Sequence, residues 1–91
     1  MDFDKLSEER QAVGVIDECI LNLLAERKKA INIIGKYKKE NSLEIRQLEI
    51  ENEKLRKLIA SGVEKGLDQE MVVQIFTIIF KDSCKSQLEL K

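Results

Sequence analysis

From about Asp4 or Ser7 to about Lys39 the chain has no proline and only two glycines, Gly14 and Gly35, in a run rich in Leu, Ile, Lys and Glu. Nothing in that run stops a helix. Ser7 is a candidate N-terminal cap, Glu8 and Glu9 suit the positive end of the helix dipole, and Lys36, Lys38 and Lys39 suit the negative end. At about 1.5 Å per residue such a helix extends roughly 50 Å, more than the diameter of a small domain. A fold built on it has to cover a rod longer than the rest of the chain can reach.

The remainder reads as two shorter helices. ENSLEI, residues 40–45, is the first connection. Gln47 to about Gly62 forms a second helix of about 24 Å, with Leu48, Leu55, Leu58 and Ile59 turned inward. Gly62 and Gly66 bracket its frayed end and the second turn. Asp68 then caps a third helix from Gln69 to about Leu88, whose apolar face is Val72, Ile75, Phe76, Ile79 and Phe80. The whole chain has no proline, four glycines and four aromatic residues, one tyrosine and three phenylalanines. The expected class is therefore all-α, with three helices in one domain spanning residues 1–91. At 91 residues a lone core is marginal. Two short helices leave part of the long apolar stripe wet, so a homodimer sharing the long helices is expected.

Charge and cysteine usage narrow the function classes. A formal net charge of −1 argues against a general binder of nucleic acid or of anionic membrane surfaces. The one basic stretch, KKENSLEIR, is interrupted by Glu40 and Glu44 and reads as a solvated helix end. Cys19 and Cys84 are too few and too far apart for a disulfide scaffold, and with no histidine in the chain a transition-metal site is not indicated. They read as reduced packing thiols of a cytoplasmic protein. No window approaches a membrane span of about 18 apolar residues.

Stepping by three and four along the first helix gives Arg10, Val13, Asp17, Ile20, Leu24, Arg27, Ile31, Ile34 and Lys38, a heptad-like seam carrying three cations. A single charge on a seam is ordinarily an interhelical ion pair or a snorkelling side chain. Three ask for more. The second helix repeats the pattern with Gln47, Glu51, Leu55 and Leu58, and the third with Val72, Phe76, Ile79, Ser83 and Gln87. If the polar ends converge, they line a pocket with several donors, one carboxylate and apolar walls, suited to a small anionic ligand such as a carboxylate. Arg27 and Lys38, roughly 16 Å apart along the helix, can reach opposite ends of a ligand. Arg10 and Arg27, roughly 25 Å apart, cannot both grip one small molecule from the same helix. Arg10 either serves a pocket on an antiparallel partner or pairs with an acidic residue near its own helix start. Histidine, a nucleophile with its base, a phosphate-binding glycine loop and a metal cluster are all missing from the pattern, and no cofactor is implied. Any catalysis is expected to hold a conformation and stabilise charge, which suits a unimolecular rearrangement.

Several stretches together resemble the all-helical class of chorismate mutase. They are R-x(6)-D at Arg10 to Asp17, LLAER ending at Arg27, IGKYKKEN with Lys38, Glu51, GLDQEMV, and IFTIIFKDSCKSQ with Ser83 and Gln87. The resemblance runs from about Leu6 to Gln87 without a gap. It implies conversion of chorismate to prephenate in phenylalanine and tyrosine biosynthesis, by an intertwined dimer with two sites. On that resemblance Arg27 and the partner subunit's Arg10 bind the two carboxylates, Lys38 and Gln87 donate to the ether oxygen, Glu51 holds the ring hydroxyl and Ser83 orients a carboxylate.

The chain departs from the family pattern P-I-x-D-x-x-R-E, here EIRQLEIE at residues 44–51. Glu44 replaces proline, Gln47 the aspartate and Ile50 the arginine. Gln47 can still hydrogen-bond a hydroxyl, whereas Ile50 removes a cation at the pocket edge that Arg46, one turn earlier, replaces in part. Weaker substrate affinity or altered specificity is the expected consequence. Two other readings share the fold: isochorismate-pyruvate lyase, against which Glu51 speaks, and a non-catalytic helical dimer, which Gln47 and Ile50 favour.

Overall fold

The computed structural model describes residues 3–90; Met1, Asp2 and Lys91, the ends of the domain read over 1–91, lie outside the described residues. Among the described residues there are three helices and no strand: α1 (Phe3–Glu40), α2 (Leu48–Glu64) and α3 (Gln69–Leu88). The chain divides into two units, residues 1–30 and 31–91.

The first unit is helical throughout its described length. Ser7 lies inside α1 rather than at its start, because Phe3 to Leu6 continue the helix and leave it no orphan N–H groups to cap. Val13, Ile16, Ile20, Leu21, Leu23 and Leu24 are all exposed in the single chain. Cys19 is exposed too, so it is not a packing thiol within the chain; Cys84 is partly buried, and both are free.

The second unit holds the end of α1 with α2 and α3. α1 and α2 stop in the same way. After α1, Leu43 N–H donates to Lys38 O at 2.8 Å and Ser42 N–H to Lys39 O at 3.4 Å, with Ser42 at φ 56°. After α2, Leu67 N–H donates to Gly62 O and Gly66 N–H to Val63 O, both at 2.9 Å, with Gly66 at φ 83°. These paired bonds around a left-handed residue satisfy the last carbonyls of a helix and turn the chain sharply. Glycine takes that conformation without penalty after α2, whereas Ser42 bears the Cβ cost after α1.

Gly62 is buried rather than frayed: a methyl built on it would lie 2.7 Å from Val72 Cγ2, so the bare Cα lets α3 approach α2. Val72 and Phe80 are the buried apolar side chains among the described residues. Phe76 stacks at a tilt on Phe80, ring centroids 6.0 Å apart. Leu55, Leu58, Ile59 and Ile79 are half-buried. Leu48 and Ile75, expected to face inward, are 56% and 43% exposed. Helical spacing places them beside the apolar stripe, but nothing within one chain covers them.

Asp68 accepts a hydrogen bond from Met71 N–H at 3.0 Å and caps α3. Asp68→Ala is expected to lower the unfolding free energy by about 1 kcal/mol, and Asp68→Asn to retain it. Denaturant titration checks both.

Candidate functional site

The turn after α1 sets the first wall of a cleft. Because Leu43 N–H reaches back to Lys38 O, the chain doubles over the last turn of α1, and Lys38 Nζ donates to the Ile45 carbonyl at 2.7 Å. The second wall is the end of α3. Two polar side chains on one face of that helix are buried there, Ser83 at 8% and Gln87 at 7% exposure. Ser83 Oγ donates to Ile79 O at 2.9 Å, and Gln87 Nε2 donates to Ser83 O at 3.2 Å. Gln87 Oε1 is buried and accepts no hydrogen bond from any described residue. An acceptor left so costs about 1–3 kcal/mol and is usually explained by a role the resting structure does not show.

Lys38 and Gln87 come together across an open cleft of about 440 Å³, with Lys39, Ser42, Leu43, Ile45, Leu88 and Leu90 around them. Every one of these residues belongs to the second unit. Ser83 is tied to the cleft through the Gln87 amide. α1 is joined to α3 beside it by Ser86 Oγ, which donates to Asn32 Oδ1 at 2.6 Å.

Gln47 and Glu51 stand at the start of α2, both half-buried, and do not line the cleft. Gln47 is the N-cap, but its side chain makes no capping bond; its carbonyl accepts from Glu51 N–H at 3.0 Å. Arg46 Nε pairs with Glu51 Oε2 at 3.2 Å. Arg46 is thus engaged with Glu51 and does not take over the place of the missing cation at Ile50. Ile50 is 59% exposed and lines a separate shallow groove along α2 with Glu49, Glu53, Lys54 and Lys57. In the first unit Arg10 is exposed and Arg27 half-buried.

Two contributors escape a reading of the seams. The Ile45 carbonyl is a backbone group, invisible to side-chain pattern. Gly35 is buried in α1, where a methyl would lie 2.7 Å from both Gln87 Cγ and Leu90 Cδ1. An isolated glycine inside a helical run is the signal that could have marked it. Among the described residues no group of His, Cys, Asp and Glu could hold a metal ion, and no helix is long and apolar enough to cross a membrane.

Comparison with known proteins adds a family to this geometry. Residues 9–88 match the family model described as chorismate mutase type II. The chain is 38% identical over 81 residues to the bifunctional chorismate mutase/prephenate dehydratase of Buchnera aphidicola from Acyrthosiphon pisum. It is 32% identical over 81 residues to the protein of that name from Escherichia coli K12, and 33% to the one from Buchnera aphidicola of Schizaphis graminum. In each case 89% of this chain is covered, but only 21% of the relative. The chain spans about a fifth of the length of the curated relatives it matches.

Proposed function

The chain belongs to the type II chorismate mutase family, and we propose that it catalyses the rearrangement of chorismate to prephenate in aromatic amino acid biosynthesis, as a cytoplasmic homodimer whose two sites are each completed by the partner. The observation that carries this reading is the meeting of Lys38 from α1 and Gln87 from α3 across one cleft. In the rearrangement the ether C–O bond breaks as a C–C bond forms, and negative charge grows on the ether oxygen. Nothing is added or removed. What a protein supplies is a compact substrate conformation and donors aimed at that oxygen.

Lys38 Nζ is in place to leave the Ile45 carbonyl for the ether oxygen. The Gln87 amide, satisfied on one side only, can exchange its bond to Ser83 O for one to the same atom. Arg27 and the partner subunit's Arg10 bind the two carboxylates, and Ser83 orients one of them. Glu51 and Gln47 hold the ring hydroxyl, with Arg46 keeping the Glu51 carboxylate ionised and oriented. The exposed apolar side chains of α1 from Val13 to Leu24 support the dimer, since stripes of that extent are rarely left in water.

The purified chain is expected to consume chorismate and release prephenate, and to turn over isochorismate more slowly. Failure to consume chorismate, or faster turnover of isochorismate, overturns the reading.

A further inference from the structure

The end of α3 carries a feature that the proposed chemistry does not use. Glu89 ends the helix, and Leu90 N–H then folds back to donate to Gln87 O at 3.3 Å. The Leu90 carbonyl accepts from Lys39 Nζ at 3.3 Å, a link across 51 residues. The Leu90 side chain lies over the bare Cα of Gly35, beside the Gln87 methylenes: a methyl on Gly35 would stand 2.7 Å from Leu90 Cδ1 and Gln87 Cγ and 3.2 Å from Gln87 Cβ. Gln87 and Leu90 therefore share one notch in α1, and the chain between them is tied down at both ends. The Gln87 amide itself has only the one bond to Ser83 O, with Oε1 unpartnered. A single hydrogen bond leaves the amide free to turn about its last torsion. What restrains the rest of the side chain is the packing of its methylenes.

We infer that Leu90 is a positioning residue for Gln87. Wedged into the Gly35 notch and anchored by Lys39, it holds the Gln87 methylenes against α1 and so fixes where the amide enters the cleft. The anchor leaves the amide end able to turn toward a substrate atom, while the stem cannot swing away. Its importance for catalysis rests on the reading of Gln87 as a donor to the ether oxygen; its effect on the side chain does not.

The test therefore uses two readouts on the full chain. Nitrogen-15 relaxation of the Gln87 side-chain amide reports its order without substrate. In Leu90→Ala the order parameter is expected to fall, and in Leu90→Met, which refills the notch, to recover. Gly35→Ala pushes on the same two side chains from the other face and is expected to displace the Gln87 amide resonances. Chorismate turnover by Leu90→Ala is expected to drop about tenfold in kcat with KM little changed, because geometry at the reacting atom is lost while carboxylate binding is kept. The drop should vanish in a Gln87→Ala background, where there is no amide left to place. An unchanged Gln87 amide in Leu90→Ala overturns the inference, as does an equal fall in kcat with or without Gln87. If the unsubstituted chain turns over no chorismate, the functional reading fails, and the relaxation measurement alone decides whether Leu90 places Gln87.

Discussion

Lys38→Ala is expected to lower chorismate turnover by at least about a hundredfold while leaving the helices intact. Removing one donor aimed at a developing oxyanion costs about 3–4 kcal/mol of transition-state stabilisation. The ammonium is positioned for that task by backbone, not by an acidic partner: it rests on the Ile45 carbonyl, and the turn that brings this carbonyl over α1 is closed by Leu43 N–H on Lys38 O. The carbonyl of Lys38 remains in Lys38→Ala, so the turn keeps its hydrogen bonds. Only the Nζ contact to Ile45 is lost, worth about 1 kcal/mol to the fold. Circular dichroism should be unchanged, and kcat should fall more than KM rises. Lys57→Ala, which removes a cation from an exposed pair with Glu53 on α2, is expected to match the unsubstituted chain. A small effect of Lys38→Ala would remove the cleft from the chemistry.

The second large effect concerns the two arginines. Arg10→Ala and Arg27→Ala are each expected to be nearly inactive, and their equimolar mixture, unfolded and refolded together, to recover about a quarter of the original activity. Along one α-helix the two residues are roughly 25 Å apart, so one bound dicarboxylate cannot be held by both from the same chain. In a two-fold dimer each site takes Arg27 from one subunit and Arg10 from the other. Random reassortment makes about half the dimers mixed, and each mixed dimer contains one site with both arginines. Recovery requires that exchange. A mixture that stays inactive, with mixed dimers demonstrated by mass spectrometry, rules out the shared pocket.

Much of this was legible before the structure. Asp68, three residues before the Met71 N–H it accepts from, marked the start of α3, and the lack of any helix-stopping residue up to Lys39 marked α1. Both are local signals, carried within one or two turns of backbone. The polar ends of the seams on α1 and α3 pointed to Lys38, Ser83 and Gln87, and the cleft joins the first and last of these. Local signals also misled where their physics is only half local. Ser7 has the chemistry of a cap, but a cap exists only where the helix begins, and Phe3 already begins it. Leu48 and Ile75 have inward spacing, but spacing names a face and not what covers it. Arg46 sits one turn from Ile50, yet Glu51 holds it, because an ion pair forms with whichever opposite charge the rotamers reach.

By itself the sequence determined the class of the fold, the helices within a few residues, the family and the residue types available to a small anionic ligand. These follow from backbone propensity, capping and order along the chain, which depend on neighbours close in sequence. Tertiary structure alone decided that Lys38 leans on the Ile45 carbonyl, that Gln87 lies buried with an unpartnered oxygen, and that Gly35 receives Gln87 and Leu90 together. Those placements depend on how the end of α3 packs against α1, across about fifty residues of chain, and no helical period encodes a contact of that span.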